Sequence, residues 1–508
     1  MSRLTRFSHR CLAAIASATL AVSLFPAGAA AFAQEPSDNA DLVTGSLAHE
    51  TQEGERPDNG NSWRFNNGKP INAEDEGMAA LVTQSMFRIV DDMFGSADAS
   101  FRLPDATQVG IDVSVWQNDI NWNQAKAAGV QFAIIRCGYG SDFASQDDQK
   151  WIRNVRECLR VGIPFGVYLY SYAENTGMAS SEADHAIRLL RDAGVEPALP
   201  VYYDLEESSM GSRENVQLLG DIADTFCSKL VDAGYQTGVY ANLNWWNNYL
   251  TDPRFEQWDR WVAQWNSRCT YGGNYHLWQN TSDGAVNGIV GRVDMNFALP
   301  FADVSPYHWF SSDGWLDKAI SNGAITGMKD WKGRVTWRFE PNRGITRAEL
   351  ACVLYRMANP GSKATTNPAA YEANTTPFTD VADKTWYSAA LNWAYNNNVI
   401  EGYEDEDGEP LNIIAPDQLI TREELATMLF RHAKESGANM ADVAEATYAD
   451  ASDSENVSPF AAEAAEWCYD HNVMAGSFEG SGIVLRPGES ATRAEASKMT
   501  ISCFENLG

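Results

Sequence analysis

Basic residues are scarce in this 508-residue chain: 38 Lys and Arg stand against 68 Asp and Glu, for a formal net charge of −30. Nucleic acids and anionic membrane surfaces both call for basic patches, so neither is an expected partner. Cysteine is also thin, 8 residues without close pairs, and the 7 His form no motif. A disulfide framework and a zinc site are therefore not indicated, although one disulfide stays open, and no metal or other cofactor is expected. Past residue 24 no run is long and apolar enough to span a bilayer. At 44% hydrophobic content over this length, several domains with their own cores are expected.

The N-terminus reads as an export signal over residues 1–33. Arg3, Arg6 and Arg10 precede the mostly apolar stretch 11–24, and Ala31-Phe-Ala33 fits a small-x-small cleavage site. Residues 34–106 begin as a polar run of the kind that stays disordered. Within them 62–70 carries an Asn-Gly turn signal for a small hairpin, and 74–94 places Met78, Leu81, Val82, Met86, Ile89, Val90 and Met93 at helical spacing.

From 107 to 300 strand patterns alternate with helical ones, which points to an α/β domain. Expected strands end at Asp112, Arg136, Tyr170, Glu206, Ala241, Trp265, Gln279 and Asp294, and helices fall at 121–128, 146–161, 178–193 and 213–233. Eight strands predict a TIM-like β/α barrel, irregular because the last strands follow one another too closely for full helices between them. Barrel chemistry sits at the C-terminal strand ends. The stretch 198–207, Ala-Leu-Pro-Val-Tyr-Tyr-Asp-Leu-Glu-Glu, delivers Asp204 and Glu206 there. Alternation puts Tyr202, Asp204 and Glu206 on one face and Tyr203 and Leu205 on the other, with the acids' Cα atoms about 6 to 7 Å apart. Two carboxylates so placed suit glycoside hydrolysis, and the 17 Trp and 19 Tyr supply rings that can stack on sugars.

Gly110-Ile-Asp-Val-Ser114 with Trp116, Phe132-Ala-Ile-Ile-Arg136, Gly166-Val-Tyr168, Tyr203-Asp-Leu-Glu206, Trp261-Val-Ala-Gln-Trp265, Leu277-Trp-Gln279 and Val293-Asp-Met-Asn296 follow one another in this order. The set resembles family 25 glycoside hydrolases, the Chalaropsis-type muramidases. The resemblance implies cleavage of the β-1,4 bond between N-acetylmuramic acid and N-acetylglucosamine in peptidoglycan glycan strands. It places the catalytic acid on Glu206, its partner on Asp204 and further site acids on Asp112 and Asp294. Substrate contacts are expected at Arg136, Tyr168, Tyr170, Tyr240, Gln264, Trp265 and Trp278.

After residue 300 the chain repeats itself at a spacing of about 70 to 77 residues. Phe301-Ala-Asp-Val304 with Trp309 leads to Thr346-Arg-Ala-Glu349. Phe378-Thr-Asp-Val381 with Trp386 leads to Thr421-Arg-Glu-Glu424, and Tyr448-Ala-Asp-Ala451 to Thr492-Arg-Ala-Glu495. Each Thr-Arg-x-Glu predicts a helix N-terminus with a capping box. Capping does not account for Arg347, Arg422 and Arg493, where a cation opposes the helix dipole. The repeats resemble S-layer homology modules, taken as 301–360, 377–437 and 447–508 and mainly helical. That resemblance implies attachment to a secondary polymer of the bacterial wall, with contacts at Arg347, Arg422, Arg493, Trp309 and Trp386. The third copy lacks the Trp, and the Pro-, Thr- and Ala-rich segment 359–377 predicts loosely strung modules.

A secreted, wall-attached muramidase is therefore the expectation. The alternative is a non-catalytic surface protein whose barrel only binds glycan; loss of Asp204 or Glu206 would favour it, and both are present. A metal-dependent amidase would need a ligand cluster that His185 and His276, far apart, do not form.

Overall fold

The computed structural model describes residues 103–508, apart from 330–334, 406, 442–447, 449–450, 480–481 and 508, together with a short ladder at Phe65–Asn66 and Lys69–Pro70. That ladder is antiparallel, with Phe65 opposite Pro70, in the hairpin position expected. The export signal and the helix at 74–94 lie outside the described residues. The chain forms two compact units, one from residues 109–266 with 279–296, the other from 297–508 with 267–278.

The first unit is a closed barrel of eight strands: β1 Gln108–Val113, β2 Phe132–Tyr139, β3 Phe165–Tyr170, β4 Val201–Asp204, β5 Thr237–Asn242, β6 Asp259–Ala263, β7 Leu277–Gly284 and β8 Val293–Ala298. They close in the order β8-β1-β2-β3-β4-β5-β6-β7. Strands β1 to β6 are parallel neighbours, with Arg136 level with Tyr168, Tyr170 with Asp204, Asp204 with Tyr240, and Tyr240 with Trp261. Four crossovers carry helices: α1 Trp122–Ala127, α2 Trp151–Val161, α3 Thr176–Ala193 and α4 Val216–Asp232. After β5 only the six-residue α5, Leu243–Asn248, and a 3₁₀ turn intervene, so the expected irregularity is present.

Strand β2 runs three residues past its expected end at Arg136, β4 and β6 stop two residues short of Glu206 and Trp265, and the last two strands depart furthest. β7 runs on to Gly284, and β8 turns back along it: Leu299 N donates to His276 O at 2.8 Å, while Gly284 lies against Val293 and Met295 at the other end. Asp294 therefore opens an antiparallel strand instead of ending a parallel one. The loop joining the two strands packs on the start of α1, where Asn121 N donates to Gly288 O at 2.8 Å. Because α1 begins just beyond β1, Asp294 still stands at the end of the barrel where β1 and β4 finish.

The second unit holds α6 Trp309–Ser312, α7 Trp315–Ser321, α8 Arg347–Ala358, α9 Ser388–Asn396, α10 Arg422–Glu435, α11 Ala462–Asp470 and α12 Arg493–Glu505. Helices α8, α10 and α12 each start with a complete capping box, Thr346 with Glu349, Thr421 with Glu424 and Thr492 with Glu495. The repeats are not loosely strung. Ile345 N donates to Ala491 O, Ala491 N to Ile420 O, and Ile420 N to Ile345 O, all at 2.9–3.0 Å, a three-membered backbone cycle among buried residues. Segment 359–377 is ordered as well, with Ala364 and Thr365 buried and Thr375 N bonded to Asn392.

The arginines close a second cycle. Arg347 reaches Glu424 at 3.3 Å, Arg422 reaches Glu495 at 2.7 Å, and Arg493 reaches Glu349 at 3.2 Å, so each repeat's first helical residue grips the next repeat's capping glutamate. Their Nε atoms donate to Ile414 O, Leu485 O and Phe339 O. These neighbouring carbonyls and carboxylates offset the unfavourable dipole at each helix start.

The third repeat is also in a different register from the one the sequence predicts. Asp303 accepts from the backbone N–H of Phe339 and Glu340, and Asp380 from Ile414 and Ala415; the same role falls to Asp453, which accepts from Leu485 and Arg486. Ala451, not Tyr448, therefore fills the place of Phe301 and Phe378. Truncating Arg422 to Met should leave Glu495 and two carbonyls without their donor and cost about 2 to 4 kcal/mol. Chemical denaturation of the full chain, followed by the transition of the repeat unit, measures it.

Candidate active site

At the C-terminal end of β1 the carboxylate of Asp112, 4% exposed, is held by two amides. Its Oδ2 accepts from Gln279 Nε2 at 2.9 Å and Asn296 Nδ2 at 2.8 Å. Neither amide is free to flip. Gln279 Oε1 accepts from the Tyr240 hydroxyl at 3.2 Å and from Trp265 Nε1 at 3.5 Å, and Asn296 Oδ1 accepts from Trp261 Nε1 at 2.8 Å. A phenol and two indoles, which have only N–H or O–H to offer here, thus turn both NH₂ groups toward Asp112. Asp294 lies two residues before Asn296 on the same face of β8 and is partly exposed.

Strand alternation on β4 is as expected. Tyr202 points into the barrel against Trp261, ring centroids 5.4 Å apart. Tyr203 points outward, stacked on Phe226 of α4 at 3.9 Å, with its hydroxyl donating to the buried Glu182 of α3. Asp204, next on the inner face, is 4% exposed. The strand ends there, so Glu206 sits two residues beyond it in irregular backbone, more open than Asp204. Both charges bear on Tyr170: burial first, then the negative charges of Glu206, Asp204 and Glu207, push its phenol well above the usual range. Tyr170 is thus a hydrogen-bond donor beside the acid pair at every physiological pH.

Trp261 is the centre that sequence reasoning passed over. Its indole meets Tyr168, Tyr202 and Tyr240 edge to face at 5.9, 5.4 and 4.5 Å and also holds Asn296. Its inward position on β6, level with Tyr240, was the available signal. Gln279 was an expected strand end and Asn296 closed the last motif, but their pairing with Asp112 was not visible, because that partner lies 167 and 184 residues away.

Several expected contacts take other roles. Trp278 alternates with the inward Gln279 and is fully buried against Phe297, 5.3 Å between rings, so it packs outside the barrel and cannot touch a ligand in the mouth. Arg136 is 2% exposed and pairs with Asp148 at 2.9 Å; Asp148 also accepts from Val115 N and Lys150 N, which ties the loops after β1 and β2 together. Gln264 is buried just past β6, its N–H donating to Gln279 O at 3.0 Å. Tyr168 stays half-buried, and Tyr240 and Trp265 line the Asp112 network. Trp116 and Phe143, in those same two loops, are 48% and 63% exposed.

In the repeats, Arg347, Arg422 and Arg493 were expected to face a ligand. Instead their side chains are 8%, 6% and 11% exposed, because each enters the junction with the next repeat. Of the three, Arg422 also lines an open groove with Trp309, which is 37% exposed; Trp386 is half-buried on the core. Among the described residues no three His, Cys, Asp or Glu are grouped to hold a metal ion, the seven cysteines are free, and no helix is long and apolar enough to cross a membrane. His185 lies between Asp147 and Gly140 O, at 2.8 and 3.0 Å.

Comparison with known proteins agrees with this arrangement. The family model for glycosyl hydrolases family 25 matches residues 111–289, and that for the S-layer homology domain matches 300–351 and 377–426. Lysozyme M1 of Streptomyces globisporus is 27% identical over 201 residues, covering 37% of this chain and 66% of the relative. The autolytic lysozyme of Clostridium acetobutylicum is 23% identical over 190 residues, covering 37% and 54%. The chain thus spans less than two thirds of the length of these curated relatives. Among solved structures, the modular autolysin LytC from Streptococcus pneumoniae, in complex with a synthetic peptidoglycan ligand, is 27% identical with a TM-score of 0.35, covering 39% of this chain and 49% of that one. A family 25 glycosyl hydrolase from Bacillus anthracis is 22% identical with a TM-score of 0.32, covering 40% and 94%. The chain thus carries a family 25 glycosyl hydrolase domain over residues 111–289, followed by two S-layer homology segments at 300–351 and 377–426.

Proposed function

We propose that this chain is an exported lysozyme that cuts the β-1,4 bond between N-acetylmuramic acid and N-acetylglucosamine and is kept on the bacterial wall by its C-terminal repeats. The observation that carries the reading is the gathering of Asp112, Asp204, Glu206 and Asp294 at one end of a closed barrel lined by Tyr168, Tyr170, Tyr240 and Trp265. Glu206, just past β4 and more open than Asp204, protonates the leaving oxygen. Neighbouring carboxylates keep a proton on such an acid near neutral pH. Asp204, held inside the barrel, assists on the other component of the reaction. Acids two positions apart on one chain stand side by side rather than across a sugar ring, which favours attack by the substrate's own 2-acetamido oxygen, oriented by Asp204, over a sugar ester on Asp204.

Digestion of purified peptidoglycan with identification of the new reducing end tests the bond. Reducing muramic acid is expected; reducing glucosamine or a cut peptide would refute the assignment. Glu206→Gln should lower kcat by about 10³-fold, with Glu207→Gln close to the parent enzyme. Glycan de-N-acetylated at muramic acid should be cut far more slowly than acetylated glycan, and a trapped ester on Asp204 would replace substrate assistance by a direct nucleophile.

Asn296→Asp tests the clamp on Asp112. It sets a second carboxylate where the amide donor stood, and two like charges at that range oppose each other's ionisation. Ionised Asp112 is then reached only at higher pH, so the acid limb of the kcat profile should move up by about one pH unit. An unmoved profile would mean that the charge of Asp112 is not needed.

A further inference from the structure

A carboxylate with no part in the proposed chemistry is buried on the outer side of β4. Glu182 lies on α3 at 0% exposure, and three neutral donors meet it. Its Oε1 accepts from Tyr172 N at 2.9 Å, and its Oε2 accepts from Ser171 Oγ at 2.8 Å and from the Tyr203 hydroxyl. Burial holds the carboxyl above the usual carboxylate range, and the three donors with the charge of His185 offset only part of that. An apolar side chain of similar size would cost the fold less, so stability alone does not account for an acid at this place.

The donors are the residues that border the acid pair. Ser171 and Tyr172 follow Tyr170, whose phenol feels the charges of Glu206 and Asp204, and the rings of Tyr170 and Tyr172 lie 5.0 Å apart. Tyr203 directly precedes Asp204. Ser171 joins the two strands on the main chain as well, its N–H donating to Asp204 O at 3.0 Å. Its hydroxyl accepts from Ala173 N at 3.1 Å and lies 2.9 Å from that of Tyr203. With four residues β4 is the shortest strand of the barrel, and its ladder stops at Asp204. Because side chains alternate, a twist of this strand end that swung Asp204 would carry Tyr203 the opposite way. Tyr203 resists it, gripped by the Phe226 ring at 3.9 Å and by the Glu182 carboxylate.

We infer that Glu182 is a positioning residue for the hydrolysis: through Tyr203 and Ser171 it sets Asp204 against Tyr170, from outside the barrel and without touching the sugar. This rests on the reading of the barrel as a lysozyme. The position requires a carboxylate and not an amide. A carboxylate accepts at both oxygens, whereas a glutamine turned to accept from Tyr172 presents its NH₂ to the two hydroxyls, and one of their hydrogens is left without an acceptor.

The test uses the full chain on solubilised glycan strands, with kcat and KM measured separately and thermal unfolding followed for each variant. Glu182→Gln and Tyr203→Phe should each lower kcat by about tenfold with KM near the parent value, the pattern of an interaction felt in the transition state. Tyr203→Phe keeps the ring stack, so it reads the link even where Glu182→Gln unfolds. The double variant should be no slower than the slower single, because both changes break one link. Leu190→Ala opens a cavity on the buried face of the same helix; it should lower the unfolding temperature at least as far as Tyr203→Phe and leave kcat unchanged. Parent-like kcat in Tyr203→Phe, losses that multiply in the double variant, or an equal loss in Leu190→Ala would overturn the inference and leave Glu182 a matter of stability. A parent enzyme that leaves the glycan uncut would instead refute the lysozyme reading itself.

Discussion

A charge taken out of water must find its partners within the fold, or it is not tolerated there. Both halves of this chain are arranged around that requirement. In the barrel, a carboxylate at the end of β1 is accommodated because two amides face it, and the amides face it because a tyrosine and two tryptophans hold their oxygens. In the repeats, a guanidinium at the start of each helix is accommodated because the next repeat offers a carboxylate and backbone carbonyls. The site and the ring of repeats are thus both consequences of satisfying buried ions from across the sequence.

The acids at the barrel mouth differ in how deeply each is held. Asp112 and Asp204 are enclosed by strands whose register fixes them, whereas Glu206 stands in irregular backbone past the end of β4. A group that must give up and regain a proton benefits from access to water and substrate. One that only orients or stabilises charge benefits from being fixed.

Much of the barrel was legible because period-two alternation and strand ends are local signals. Tyr202, Asp204 and Tyr203 fell on the faces that alternation predicts, and helices α1 to α4 lie within the segments predicted for them, apart from a two-residue earlier start at α3. The same rule would have removed Trp278 from the site had it been applied against its neighbour Gln279, since adjacent strand residues cannot both face inward. What was not legible depended on distant pairing: the reversal of β8, the amide clamp on Asp112, and the destination of Arg347, Arg422 and Arg493. The capping boxes were legible from Thr and Glu alone. The register of the third repeat was not, because Ala451 in place of a Phe erases the hydrophobic cue and leaves only the hydrogen bonds of Asp453 to reveal it.

The backbone cycle through Ile345, Ala491 and Ile420 has a consequence for durability. A row of stacked repeats can fray from either end, and loosening spreads inward one unit at a time. A ring of three has no terminal unit: freeing any repeat breaks two junctions together, and a cut within 359–377 leaves both neighbours of each repeat in place. Under proteolytic attack such an assembly opens in an all-or-none fashion and stays closed until the whole ring gives way.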